Sequence, residues 1–185
     1  MNGNLLANRL WAGSGVGRAA LLALAGSVFV ALAAQVNVPM YPVPMTLQTL
    51  AVLAVGMAYG ARLGAATLAL YAAEGTIGLP VFANFSGGPH VLMGPTGGYI
   101  IGFVLAAALV GWLVETGRAS TTGKLILASL AGAALLYVPG LLWLSHFVGA
   151  DALKYGLYPF VLGDAIKAVV AALAVPAASS LIGRR

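Results

Sequence analysis

With 185 residues, 61% of them hydrophobic and only 7% charged, the chain is far too poor in charge for a water-soluble domain, where about a quarter of residues are ionisable. A net charge of +5 would point to nucleic acid in a soluble protein, but apolar stretches of the ~20 residues needed to cross a bilayer recur along the whole chain, so the charge is better read as membrane topology and no nucleic-acid partner is expected. The absence of cysteine excludes disulfides and thiolate metal sites, and continuous Ala- and Leu-rich runs exclude a transmembrane β-barrel, which needs short alternating segments.

The predicted class is an all-α membrane protein, a compact bundle of six transmembrane helices forming a single domain over 1–185. The first span, 19–38, follows a basic leader (1–18) and carries a small residue at every fourth position: Ala19, Ala23, Ser27 and Ala31. Such a flat stripe lets another helix approach closely, either within the chain or from a second membrane subunit. Ala31-Leu32-Ala33 resembles a signal-peptide cleavage site. The leader is long for a signal peptide and small residues occur throughout, so the span is expected to be retained.

Pro39, Pro42 and Pro44 predict an extended, rigid connection to a short second span, 46–59. The third span, 62–79, holds Glu74 in its outer half, where it could bond loop amides or a solute. The connection 80–97 is the longest. It offers the amide of Asn84, the rings of Phe82 and Phe85, and glycines that let backbone fold closely over a ligand. The same rings would suit a headgroup belt equally well. The fourth and fifth spans are predicted at 98–114 and 124–147.

The sixth span, 158–182, contains Asp164 and Lys167, three residues apart and therefore on one helical face. Each charge costs about 3 kcal/mol at the centre of an isolated membrane helix, so such residues mark either a solute site or an ion pair bracing helices. The carboxylate only accepts hydrogen bonds and the ammonium only donates them, which complements a solute bearing N–H groups beside a carbonyl.

Arg9, Arg18, Arg62, Arg118, Lys124, Arg184 and Arg185 fall on one side of this six-span arrangement, and only Lys154 falls on the other. That asymmetry predicts both termini in the cytoplasm and the Asp164 end of the last span facing outward. Enzyme signatures are missing. His90 and His146 form no H-E-x-x-H, there is no G-x-S-G, and no G-x-x-x-x-G-K-[ST] supplies a nucleotide site. A membrane enzyme using Asp164 and Lys167 as acid and base would lack a nucleophile or a metal, and a channel would need polar residues through its full depth. A non-enzymatic receptor or uptake subunit is expected.

Four segments carry a family resemblance. Val43-Pro44-Met45-Thr46-Leu47-Gln48-Thr49 resembles the P-x-T-L-Q-T entry to the second helix of the BioY family. Gly78-Leu79-Pro80-Val81-Phe82-Ala83 and the segment from Gly94-Pro95-Thr96-Gly97-Gly98-Tyr99 to Phe103 resemble its central signature, and Asp164-Ala165-Ile166-Lys167 its C-terminal D-x-x-K. The resemblance implies a biotin-binding S-component of an energy-coupling-factor (ECF) transporter in a prokaryotic cell membrane, without a cofactor. Its pocket would face the extracellular side, and its partners would be a transmembrane T-component and two ATP-hydrolysing subunits. It further implies biotin contacts from Asp164, Lys167, Asn84, Gly98 and Tyr99, with Phe82, Phe85 and Tyr99 against the apolar parts of the vitamin. The ladder Ala19, Ala23, Ser27 and Ala31 would dock the T-component. Uptake of another small vitamin, or of biotin without ATPase partners, is the alternative. Asn84-Phe85 stands where many relatives carry glycine, and Glu74 has no counterpart in the family signature.

Overall fold

The computed structural model describes Leu5 and residues 15–182. Arg9, Arg184, Arg185 and most of the leader 1–18 lie outside the described residues. The chain runs through α1 (Val16–Gln35), a two-stranded ribbon of β1 (Asn37–Val38) and β2 (Met45–Thr46), then α2 (Gln48–Thr76), α3 (Pro89–Met93), α4 (Gly97–Glu115), α5 (Thr122–Val148), α6 (Ala152–Gly156) and α7 (Val161–Ile182). Among the described residues, five helical segments are long and apolar enough to cross a membrane: α1, α2, α4, the α5–α6 run and α7.

The predicted second and third spans are the two arms of α2. Helical geometry fails at Gly60, where φ is +80° and ψ −179°, a conformation that costs little only without a side chain. The arms then fold back on each other. A methyl placed on Gly64 would lie 3.3 Å from the Gly56 Cα, whereas residues eight apart in a straight helix are separated by about 12 Å. At the far ends of the arms, Gln48 Nε2 reaches the Tyr71 hydroxyl at 2.7 Å. Gly60 also abuts Glu115 at the end of α4, so the break and the α4–α5 connection share one end of the bundle.

Three boundaries differ from the sequence expectation. The first span stops at Gln35 because Asn37 and Val38 leave the helix to pair with Thr46 and Met45; the proline-rich connection is extended, as expected, but closed into a ribbon. The loop 80–97 contains a 3₁₀ turn at Ala83–Phe85 as well as α3. The connection between the fifth and sixth predicted spans carries the short helix α6.

Close helix contact in lipid comes from van der Waals packing at small residues rather than from a hydrophobic drive. A methyl on Gly56 would sit 2.7 Å from the Ala107 carbonyl oxygen, and one on Gly102 would sit 2.6 Å from that of Leu136. Glycine at these two positions therefore sets the spacing of α2, α4 and α5. The main core joins Val30, Val52, Leu68, Phe103, Leu136 and Leu144, while Leu53, Met57, Val110, Ala168 and Ala171 seat α7.

The small-residue ladder of α1 requires a correction. Ala23 is buried and Ser27 is 0% exposed, because this stripe packs on the second arm of α2. Ser27 Oγ lies 3.1 Å from Glu74 Oε1, and a methyl on neighbouring Gly26 would lie 2.6 Å from Thr67 Cγ2. Only Ala19 is exposed, with Ala31 half-buried. The face that α1 leaves open carries Leu21, Leu24, Val28, Phe29 and Leu32 instead.

Candidate functional site

The first turns of α7 project Asp164 and Lys167 into the bundle, where Lys167 Nζ and Asp164 Oδ1 pair at 2.7 Å. Asp164 is 5% exposed. Its second oxygen, Oδ2, accepts a hydrogen bond from the hydroxyl of Tyr137, which α5 supplies. Tyr137 in turn meets the ring of Tyr99 edge-on at 6.1 Å between centroids. Tyr99 donates its hydroxyl to the carbonyl of Gly156 at 2.8 Å, tying α4 to α6. The space for this bond comes from glycine, since a methyl on Gly156 would collide with the Tyr99 hydroxyl.

Each carboxylate oxygen of Asp164 uses one protein donor and keeps acceptor capacity, while Lys167 keeps two of its three N–H bonds free of Asp164. A charge pair so buried is held against a desolvation cost, and removal of one member leaves the other uncompensated. Together the three side chains can take two further N–H groups at the carboxylate and offer a donor to an adjacent carbonyl.

These groups form one wall of a cavity of about 250 Å³, just below the range typical of drug-sized ligand sites. Opposite them stand Thr46, Gln48 and Thr49 at the entry to α2, and Asn84 and Ser86 from the loop. Phe82, Ile100, Phe103, Leu136 and Phe160 supply apolar surface between the polar walls. The amide of Gln48 is fixed at both ends: Oε1 accepts from Thr46 Oγ1 at 2.9 Å, and Nε2 donates to Tyr71, whose hydroxyl donates to the Val81 carbonyl at 3.1 Å. The cavity wall is thereby bonded to the loop that covers it.

Of the residues singled out from the sequence, Asp164, Lys167, Asn84, Tyr99 and Phe82 line this cavity together. Gly98 and Phe85 do not. Gly98 faces the backbone of Pro139 in α5, so closely that a methyl there would collide with its carbonyl, and its place is helix packing. Phe85 is 69% exposed and turns outward from the loop. Glu74 also lies away from the cavity, beside Ser27.

Sequence reasoning missed Tyr137 and Gln48. Tyr137 is the only phenol between Leu125 and Phe147, and a hydroxyl in so apolar a span was itself a signal. Gln48 stood inside the P-x-T-L-Q-T match, but nothing in the sequence indicated that its amide would face the same space as Asp164.

The model of the BioY family matches residues 8–184. The chain is 39% identical over 149 residues to the biotin transporter BioY of Thermotoga maritima, covering 80% of this chain and 87% of the relative. It is 41% identical over 152 residues to a probable biotin transporter BioY of Pyrococcus horikoshii, covering 80% and 89%. The crystal structure of an S-component for biotin from an ECF-type ABC transporter superposes with a TM-score of 0.78 at 24% identity, over 91% of this chain and 95% of that one. The agreement in fold extends over nearly the whole bundle, and the family match, residues 8–184, takes in the segments that build the cavity. The chain belongs to the BioY family.

Proposed function

We propose that this chain is the biotin-binding S-component of an ECF transporter, a membrane receptor rather than an enzyme. The observation that carries the reading is the Asp164–Lys167–Tyr137 cluster facing a cavity with apolar rings at its middle and a second polar wall opposite. A cyclic urea carries two N–H groups and one carbonyl. The carboxylate accepts the first pair, and the ammonium both neutralises the carboxylate and donates to the carbonyl. Phe82, Phe103 and Tyr99 pack against the thiophane ring and the start of the valeryl chain, with Asn84 bonding from above.

Counting the arms of α2 separately gives six crossings, with both termini cytoplasmic and the cavity opening to the extracellular side. Arg62, Arg118 and Lys124 then cluster at the inner end, in keeping with the positive-inside rule. The names of the relatives support biotin as the cargo and a prokaryotic cell membrane as the location. Capture from outside is followed by docking on a T-component and two ATP-hydrolysing subunits, which supply the energy for inward release.

Equilibrium binding of labelled biotin to the purified protein, with desthiobiotin and thiamine as competitors, tests the assignment. Displacement by desthiobiotin but not by thiamine is expected, since the former keeps the cyclic urea. No binding of labelled biotin, together with direct binding of labelled thiamine, would assign the cavity to another vitamin.

A further inference from the structure

One side chain outside the cavity controls the loop above it. Gln35, the last residue of α1, donates from Nε2 to the Phe82 carbonyl at 3.1 Å, and its Oε1 accepts the Phe85 backbone N–H at 2.9 Å. A further bond from Nε2 to the Ala31 carbonyl, at 3.1 Å, anchors the amide on its own helix. The planar amide thus mimics a strand edge and staples both ends of the 3₁₀ turn Ala83–Phe85, whose central residue, Asn84, lines the cavity.

The turn needs such a staple. Asn84 and Phe85 lie in the left-handed region, at φ 58° and 55°. Residues with side chains hold that conformation only when the surroundings over-determine it. Local closure comes from a narrow bridge, in which Phe82 N–H donates to the Ser86 carbonyl at 3.0 Å and Ser86 N–H to that of Ala83 at 3.2 Å. Upstream of the turn, the loop is tied by Tyr71 of α2 at Val81; at the turn, it is tied by α1 through Gln35.

We infer that Gln35 is a positioning residue that latches the Phe82–Phe85 turn over the cavity and so sets how fast bound ligand escapes, placing retention under the control of α1. The inference rests on the reading of the cavity as a biotin site. It also gives α1, whose outer face is apolar and open, a direct mechanical link to the cavity's cover.

Two measurements on the full chain in nanodiscs test it, each on the wild type, Gln35→Ala and Gln35→Met; the last keeps side-chain length and removes both bonding groups. Hydrogen exchange without ligand should show faster exchange in the peptide spanning 80–88 in both variants, with α4 unchanged. Biotin dissociation should quicken about tenfold for the loss of two hydrogen bonds, with the association rate and binding capacity unaltered. A purely structural role would instead lower capacity and leave the dissociation rate alone. Unchanged loop exchange in both variants overturns the latch, and faster exchange with an unchanged dissociation rate overturns its role in retention. If the wild type binds no biotin, the biotin assignment is what fails, and the exchange data still decide whether Gln35 holds the loop.

Discussion

Tyr137 and Asp164 stand back to back in two spaces at once. Both line the cavity, and both also line an apolar groove between α5 and α7 whose walls include the exposed side chains of Val138 and Leu142. The hydrogen bond between them is therefore part of the partition between the cavity and the groove. It fixes the carboxylate at the cavity wall, and it joins the two helices that border the groove.

Tyr137→Phe isolates that bond. The ring that meets Tyr99 remains, so the fold should persist, while a hydrogen bond to a buried charge disappears at a cost of about 1.5–3 kcal/mol. Biotin affinity should fall roughly 10- to 100-fold, read by calorimetric titration or equilibrium dialysis. An unchanged dissociation constant would reduce Tyr137 to a packing residue.

Asp164 and Lys167 can be separated from a merely bracing ion pair by comparing single and double replacements. Asp164→Asn or Lys167→Met alone leaves one charge uncompensated and should destabilise the protein by about 3–5 kcal/mol. Asp164→Asn combined with Lys167→Met removes both charges, so the melting temperature in detergent should recover most of the loss. Biotin binding should stay abolished. Recovery of binding together with stability would show that the pair serves the bundle and not the ligand.

Gly98 gives the opposite signature. Its α-hydrogens face the Pro139 backbone, so Gly98→Ala should separate α4 from α5, lowering thermal stability along with affinity because Tyr99 is carried on the same turn. A loss of affinity without any loss of stability would return Gly98 to the ligand. A melting curve and a binding isotherm on one preparation decide this.

How far the sequence revealed this site depended on the kind of signal. Asp164 and Lys167 were legible because charge in an apolar run is costly and their spacing shares a helical face. The all-helical membrane class was legible from length and hydropathy, whereas the expected second and third spans are arms of the one segment α2, which turns back at Gly60. What escaped notice required distance information. Tyr137 joins Asp164 from 27 residues away, and Gln35 reaches a turn 47 and 50 residues downstream. No local pattern encodes such a partner. The α1 ladder misled for a related reason: a small-residue stripe specifies close approach, but the approaching helix turned out to be α2.

That inward stripe changes which α1 substitutions report on docking. Ala23→Leu inserts bulk against α2 and should lower the melting temperature and biotin capacity of the isolated chain by overpacking, at a cost of about 1–3 kcal/mol. Lost co-purification of ATPase subunits in that variant would then carry no information about the interface. Val28 is 55% exposed on the open face, and Val28→Trp enlarges that face without introducing charge into lipid. Isolated Val28→Trp should bind biotin and melt like the wild type, while recovery of the ATPase subunits with it should drop severalfold. Wild-type recovery with Val28→Trp would place the docking surface elsewhere on the bundle, because a ring of that size on the open face of α1 could not be accommodated in a close helix–helix contact.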